Sequence, residues 1–203
     1  MSFSENLKEV FIVTNHRFHS QFSSWVNNYT SSLKIKVLDD GTLNNDDRLG
    51  AVRDLYFVLQ QEAINDDVLI IAGDNLFEFS LSDLIALSLK KKKSVIAFHN
   101  LKDKEKVKGK YGVGILEGTK IVRFEEKPQQ PQSSLAATVC YLLLKQDLPL
   151  IERALKEGKP DNPGDFVKYL IRYSQVHGFV FTESWFDVGS FESLREAEEV
   201  YKL

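Results

Sequence analysis

The 203-residue sequence predicts a three-layer αβα fold, with helices on both faces of a mixed, mainly parallel sheet. In the first half, short apolar runs alternate with segments whose apolar residues recur every three or four positions. The run at 68–72, Val-Leu-Ile-Ile-Ala, carries no charge and is typical of a strand buried on both faces. In the second half, Gly118 separates two apolar runs and indicates a hairpin. Strands that alternate with helices favour parallel pairing, because each helix returns the chain to the same end of the sheet.

The first half of the chain contains four strand patterns and three helix patterns. Continuous β-branched and aromatic runs predict the strands, at 10–14, 35–38, 68–72 and 94–98. Apolar residues at helical spacing predict the helices, near 18–29, 49–59 and 82–89. Ser82 is the expected N-cap of the third helix, because a serine hydroxyl accepts a hydrogen bond from a free amide of the first turn.

The second half begins with the hairpin and then returns to alternating strands and helices. The elements expected here are a hairpin at 111–116 and 120–124, strands at 135–144 and 178–182, a Gly/Pro-rich turn at 158–164, and helices at 148–157, 165–173 and 191–201. Ser190 is the expected N-cap of the last helix. No segment is long enough to link two independent domains, so we expect a single domain over 1–203.

Composition excludes several classes of protein. Apolar residues make up 43% of the chain and charged residues 27%, as in an ordinary globular protein. A net charge of −3 gives no reason to expect a nucleic acid or an anionic membrane as partner. The single cysteine, Cys140, lies in an apolar strand, where a buried and unreactive thiol is favoured. Without a signal-peptide pattern or a membrane-spanning run, we expect a soluble cytoplasmic protein.

The first candidate for chemistry is Gly73-Asp74-Asn75, directly after the apolar strand at 68–72. Ligands of open α/β sheets bind beyond the carboxyl ends of strands. Carboxylate oxygens suit Mg²⁺, which also accepts substrate phosphates, and glycine lets a ligand approach the backbone. The alternative, in which Asp74 only caps a turn, is equally compatible with the local sequence.

A second strand-end carboxylate is Asp187, in Trp185-Phe186-Asp187-Val188-Gly189-Ser190. It precedes a helix start, where backbone N–H groups favour anions. Mg²⁺ commonly takes one or two carboxylates together with substrate phosphates. Asp74 and Asp187 could therefore share one metal ion, although their spacing in sequence does not show whether they meet.

Lysine residues occur in three settings. Lys127, in Glu125-Glu126-Lys127-Pro128, ends a hairpin strand where Pro128 stiffens the exit, and it could bind phosphate while a glutamate binds a sugar hydroxyl. An exposed strand end without a function is the alternative. The run at 90–93 fits a solvated helix C-terminus. The lysines alternating over 102–110 indicate a mobile, solvated loop, with a phosphate-guiding lid as the alternative.

Taken together, these motifs resemble the sugar-1-phosphate nucleotidyltransferases, the family that includes glucose-1-phosphate thymidylyltransferases. Each motif alone is common, but their shared order and spacing are specific and cover almost the whole chain. The matching segments are 10–15, Arg48-Leu49-Gly50-Ala51, Ala72-Gly73-Asp74-Asn75-Leu76-Phe77, Lys110-Tyr111-Gly112-Val113, Phe124-Glu125-Glu126-Lys127-Pro128 and Trp185-Phe186-Asp187-Val188-Gly189-Ser190. The resemblance implies a nucleotidyltransferase-like, Rossmann-like fold.

The resemblance also implies a reaction and a set of site residues. The family converts a nucleoside triphosphate and a sugar-1-phosphate into an NDP-sugar and pyrophosphate. Asp74 and Asp187 would hold Mg²⁺, and Lys127 would bind the phosphate of the sugar phosphate. The implied substrate-binding residues are Asn75, Glu126 at a sugar hydroxyl, Tyr111 and Gly112 in the sugar pocket, and Leu49 and Gly50 near the base.

The chain departs from the family in two respects. The family begins with a strand and a Gly-rich loop of the form G-G-x-G-T-R-L that binds the triphosphate, whereas the 11 glycines here form no such loop. Val139 stands where the family usually has glycine, and it would crowd the sugar pocket. We therefore expect an N-terminally incomplete domain that lacks the family's first strand and is weak or inactive alone.

In the family, the missing strand lies between the strands that resemble 10–14 and 68–72. Unpaired backbone groups are costly when buried, so we expect the gap to be filled by direct pairing, by a partner chain, or by a second copy in a homo-oligomer.

Two rival functions remain at this point. One is a non-catalytic regulatory subunit that binds a sugar phosphate or an NDP-sugar. The other is a metal-dependent glycosyltransferase, against which the lack of an Asp-x-Asp motif at Gly73-Asp74-Asn75 argues.

Overall fold

The computed structural model describes residues 7–44, 46–158 and 162–201. The chain divides into two compact units: unit 1 comprises Met1–Asn65 and Ile151–Pro163, and unit 2 comprises Asp66–Leu150 and Gly164–Leu203. The first six residues, where no signal peptide was expected, lie outside the described residues, as does part of the turn expected at 158–164. The assignment of a single domain stays a prediction.

Unit 1 is built around two parallel strands and the helices that follow them. Its elements are β1 (Glu9–Thr14), α1 (His16–Asn28), β2 (Lys34–Asp39) and α2 (Ala51–Gln61). Strands β1 and β2 pair in parallel, with Val10 opposite Ile35, and β2 is the only strand that β1 pairs with in the described residues. Asn15 starts α1, because its side chain accepts a hydrogen bond from the amide of Phe18 at 3.2 Å.

Helix α1 places its aromatic residues differently from a core helix. The spacing of the aromatic residues correctly predicts a helix, yet Phe18, Phe22, Trp25 and Tyr29 are 39 to 52% exposed. The half-buried positions of α1 are His19, Ser23 and Val26. The helix therefore presents an uncharged aromatic stripe to its surroundings, with Trp25 and Tyr29 stacked at 4.7 Å between ring centroids.

Unit 2 contains a sheet of six strands in the order β3-β8-β5-β9-β7-β6. The strands are β3 (Val68–Ile71), β5 (Val95–Asn100), β6 (Gly112–Glu117), β7 (Lys120–Glu126), β8 (Leu135–Leu143) and β9 (His177–Phe181). A separate two-stranded ribbon pairs β4 (Asn75–Phe77) with β10 (Trp185–Asp187). The helices are α3 (Leu81–Lys91), α4 (Lys104–Val107), α5 (Pro149–Gly158), of which residues 151–158 belong to unit 1, α6 (Pro163–Tyr173) and α7 (Phe191–Tyr201).

The mixed α/β class is confirmed, but the expectation of a mainly parallel sheet is wrong. In the described residues only β1–β2 and β5–β9 pair in parallel, whereas β8 runs antiparallel to both β3 and β5. The alternation of elements along the chain did not reveal that β8, which follows the β6–β7 hairpin, inserts between two earlier strands. Strand β3 is also half-buried rather than buried on both faces, and β8 is its only partner in the described residues.

One hydrophobic cluster of the unit 2 core lies between α3 and the sheet. Leu84 of α3 is fully buried there with Val95, Ala97, Cys140 and Phe181. Burial raises the pKa of the Cys140 thiol to about 12, which fits the unreactive cysteine that the sequence predicts. None of the helices in the described residues combines the length and the apolar character that crossing a bilayer requires.

Two local predictions need correction. The N-cap of α3 is Ser80, whose hydroxyl accepts from the amide of Asp83, and Ser82 lies inside the helix. The lysine-rich segment expected to be a mobile loop contains α4, and Val107 at its end is fully buried against Val113 and Ala136. Val107, which stands between lysines, thus helps to fix this segment to the core, together with Leu101 and Tyr111, which pack on the same cluster.

Candidate active site

The β4–β10 ribbon, which the sequence did not predict, brings two distant segments together. Antiparallel pairing places Asp187 directly opposite Asn75. The amide of Val188 then donates to the carbonyl oxygen of Asp74 at 2.7 Å. Asp74 and Asp187, which are 113 positions apart, therefore lie side by side at the end of β3.

A chain of hydrogen bonds orders the polar side chains of this ribbon. The indole Nε1 of Trp185 donates to Oδ1 of Asn75 at 2.6 Å, and Nδ2 of Asn75 donates to Oδ1 of Asp74 at 2.8 Å. Because the indole can only donate, it determines which end of the Asn75 amide faces Asp74. Trp185 thereby orients Asn75, and Asn75 orients the carboxylate.

The charges of the site act on one another. Loss of hydration raises the pKa of Asp187, the negative charge of Asp74 raises it further, and the positive charge of Lys127 lowers it. Burial raises the pKa of Tyr111, to which the charge of Asp187 also contributes. Asp74, Lys127 and Asp187 are exposed, so a ligand in solution can reach them. The structure brings the three proposed catalytic residues and Tyr111 together.

A divalent cation fits this pair of carboxylates. The two side chains repel each other, and a bound cation would relieve that repulsion. The described residues contain no cluster of three or more His, Cys, Asp or Glu that could hold a metal. Two carboxylates with open coordination positions suit Mg²⁺ that is shared with substrate phosphates better than a metal held by protein alone.

Lys127 stands at a sharply turned exit from β7. Its backbone has φ of +44°, which is uncommon for a residue other than glycine. Its amide donates to the carbonyl of Tyr111 at 3.2 Å, and the amide of Gly109 donates to the carbonyl of Pro128 at 3.0 Å. These bonds hold the lysine beside the start of β6. Such strained backbone, fixed by its neighbours, is often found at functional sites.

Gly112 and Glu126 are opposite each other in the β6–β7 pair. A Cβ atom on Gly112 would lie 2.4 Å from Cζ of Phe124 and 3.0 Å from Oε2 of Glu126, so only glycine fits. Burial raises the pKa of Glu126, and the charge of Lys127 opposes that rise. The close approach keeps the glutamate next to the bare backbone of β6.

Two residues of the site were missed or undervalued from sequence. Trp185 was noted only as a neighbour of Asp187, yet its ring lies 5.2 Å from Tyr111 and 5.6 Å from His99, between centroids. His99 belongs to none of the sequence motifs, and no signal in one sequence would have placed it here. Together, these rings form an aromatic wall beside the carboxylates.

Leu49 and Gly50 belong to unit 1, where Gly50 directly precedes α2. Gly50 has φ of +90° and ψ of 150°, a conformation that glycine adopts readily. Their place at a nucleotide base stays a prediction.

The site combines paired carboxylates, a lysine and an aromatic wall at strand ends, as expected of an enzyme that transfers a phosphate-containing group. The family model for nucleotidyl transferases matches residues 1–202, and the chain belongs to that family. A bifunctional protein GlmU from Methanocaldococcus jannaschii is 27% identical over 82% of the chain. A glucose-1-phosphate adenylyltransferase from Thermomicrobium roseum is 34% identical over 64% of the chain. The matches span 37% and 31% of those two relatives, about a third of their length.

Solved structures show the same fold. A UDP-glucose pyrophosphorylase complexed with UDP-glucose superposes with a TM-score of 0.76 at 20% identity, covering 96% of this chain and 81% of the other. A protein described as a glucose-1-phosphate thymidylyltransferase from Bacillus anthracis, in complex with sucrose, gives a TM-score of 0.74 at 21% identity, covering 96% and 76%. At such identities the likeness establishes the fold alone.

Proposed function

We propose that this chain carries the site of a sugar-1-phosphate nucleotidyltransferase, which joins a nucleoside triphosphate to a sugar-1-phosphate and releases pyrophosphate. The observation that supports this most is the β4–β10 ribbon, which sets Asp74 beside Asp187 within reach of the charge of Lys127. Nucleotidyl transfer needs such a site, because negatively charged phosphates must approach one another before reaction.

The charged side chains of the site have different roles in the proposed reaction. Asp74 and Asp187 would hold Mg²⁺, which when bound neutralises phosphate charge. Lys127 binds the phosphate of the sugar-1-phosphate, and the oxygen of that phosphate attacks the α-phosphorus of the triphosphate in line. The bond between the α-phosphorus and the oxygen that bridges to the β-phosphate breaks, and pyrophosphate leaves. Positioning and charge neutralisation carry the catalysis.

The remaining residues hold the substrates. Glu126 accepts a hydrogen bond from a sugar hydroxyl, while Tyr111 and Gly112 line the sugar pocket. Asn75, ordered by Trp185, donates to a substrate oxygen when it is not engaged by Asp74. Leu49 and Gly50 contact the nucleotide base. Nucleoside triphosphates are cytoplasmic metabolites, which supports a cytoplasmic location.

The residues named so far do not account for binding of the triphosphate. The sequence contains no G-G-x-G loop to wrap a triphosphate with backbone amides, so we expect this chain alone to be weak or inactive. Strands β1 and β3 each have one hydrogen-bonded neighbour in the described residues, β2 and β8 respectively, which leaves direct pairing between them unsupported. We propose that a partner chain or a second copy completes the sheet, and analytical ultracentrifugation of the purified chain tests for the second copy.

The direct test is a pyrophosphate-release assay with all four common nucleoside triphosphates, several sugar-1-phosphates and Mg²⁺. We expect slow release that Asp74→Asn abolishes, with a loss of at least about a hundredfold, because the variant removes a negative charge that would hold Mg²⁺ beside the transferring phosphates. Asp83→Asn, in the exposed first turn of α3, is the matched control and should retain activity. Sugar-phosphate binding without any turnover would favour a regulatory subunit. Absence of both binding and turnover would contradict the proposal.

A further inference from the structure

Val139 is the exception within an otherwise buried strand. From Ala136 to Leu143, every residue of β8 is buried except Val139, which is half-exposed. Its backbone has φ of +49°, in the left-handed region. A β-branched residue is a genuine outlier there, because its branched Cβ crowds the backbone, whereas glycine has no such penalty. The chain thus keeps valine where the backbone favours glycine.

The backbone around Val139 forms a bulge in the pairing of β8 with β5. Ile96 is opposite Tyr141, but two residues further along β5, Phe98 is opposite Ala137. The segment from Thr138 to Cys140 therefore faces Ala97 alone, and the hydroxyl of Thr138 donates to the Ala97 carbonyl at 3.2 Å. Bulges of this kind turn a side chain away from its regular position and are over-represented beside active sites.

The bulge lies between two parts of the candidate active site. The carbonyl of Val139 accepts from the amide of Ala72 at 3.1 Å, two residues before Asp74. Two residues beyond Val139 is Tyr141, close enough to Glu126 for that carboxylate to contribute to the raised pKa of the phenol. Val139 therefore lies between the carboxylate that would hold the metal and the glutamate that would bind the sugar. Beside it, the space above Gly73 is open, with no atom within 4 Å of a Cβ added there.

We propose that Val139 is a specificity-determining residue, whose isopropyl group narrows the sugar subsite and favours hexose-1-phosphates that carry only hydroxyl groups over those with a bulkier acetamido substituent. This inference rests on the proposed function, because it assumes a sugar phosphate between Asp74 and Glu126. An apolar side chain at this point offers no hydrogen bond to an acetamido group and occupies the volume that the group would need.

The test compares the wild-type 203-residue chain with Val139→Gly, using calorimetric titration of glucose-1-phosphate and N-acetylglucosamine-1-phosphate in the presence of Mg²⁺. We expect the wild type to bind glucose-1-phosphate at least about tenfold more tightly, and the variant to reduce that ratio to about threefold or less. Lys92→Gly is the matched control, because Lys92 also has positive φ, +54°, but lies exposed at the end of α3. Both glycine variants relieve a left-handed backbone, whereas only Val139→Gly should change the binding ratio.

Val139→Ala is the second variant if Val139→Gly does not fold, and it should lower the ratio in the same direction because it removes two methyl groups. An unchanged ratio in the folded variants, with binding retained, would overturn the role of Val139 and leave the proposed function standing. Absence of binding by either sugar phosphate to wild type and variants alike would overturn both.

Discussion

Two aspartates follow strands in similar turns, and the molecule surrounds them differently. Asp40 follows β2 in Asp39-Asp40-Gly41, and its Oδ1 accepts from both the amide and the hydroxyl of Thr42, at 2.7 Å each. Asp54 of α2 lies against Asp40, with its pKa raised to about 6 by burial, by the charge of Asp40 and by a hydrogen bond between the two. We call these two residues the closed pair: Thr42 donates twice to Asp40, and below about pH 6 the Asp54 carboxyl carries a proton.

The pair of Asp74 and Asp187, which we call the open pair, is instead exposed, and the neighbouring cation is Lys127, which directly follows β7. Its internal donor, Asn75, is itself held by Trp185. A carboxylate at a strand end therefore does not define a site. What separates the two regions is whether the oxygens remain open to a ligand and whether positive charge lies close by.

The first way to sharpen this comparison is to remove the donor that orders the open pair. Trp185→Phe keeps the aromatic ring but deletes the indole N–H that fixes Asn75. We expect about tenfold weaker binding of glucose-1-phosphate with Mg²⁺, because Asn75 and Asp74 then lose their fixed orientation. Calorimetric titration of both proteins measures this, and urea unfolding checks that the fold is retained. Unchanged affinity would mean that the hydrogen bond has no part in binding.

The closed pair of Asp40 and Asp54 leads to a prediction with a smaller expected effect. It concerns how the free energy of unfolding depends on pH. Because the folded pKa of Asp54, about 6, exceeds its ordinary 3.8, the stabilisation from its proton is complete below about pH 4. It is lost as the pH rises through 6. Asp54→Asn keeps a donor towards Asp40 at every pH, so we expect it to be about 1 kcal/mol more stable than wild type at pH 8, allowing for partial exposure.

Urea unfolding of both proteins between pH 4 and pH 8 measures this difference. The two stabilities should nearly coincide at the acidic end and diverge with rising pH. Parallel curves would contradict the raised pKa of Asp54. Because Asp54 lies outside the proposed site, the substitution should leave pyrophosphate release intact.

Sequence patterns predicted most of the fold because long elements carry repeated information. Strands β1, β2 and β5 and helices α2, α6 and α7 lie close to their predicted positions. The ribbon of β4 and β10 was missed because two strands of three residues are too short to show a period. The antiparallel direction of β8 was also missed, because its partners β3 and β5 are distant in sequence and the local pattern of residues does not indicate strand direction.

The candidate site was predictable to a similar degree. Asp74, Lys127 and Asp187 each stand in a recognisable motif, so their chemistry could be predicted from the sequence. Their proximity in the fold could not. The orientation of Asn75 depends on Trp185, which lies 110 positions away. The left-handed backbone of Val139 could not be deduced either, because valine is the residue least expected there.

The most direct test of the central claim is a Mn²⁺ titration followed by electron paramagnetic resonance, with Mn²⁺ standing in for Mg²⁺. The account predicts one site in the wild-type chain, weakened at least about tenfold in Asp187→Asn and unchanged in Asp54→Asn. Equal Mn²⁺ affinity in the wild type and Asp187→Asn, or an equal loss in both variants, would contradict the distinction between the open pair and the closed one.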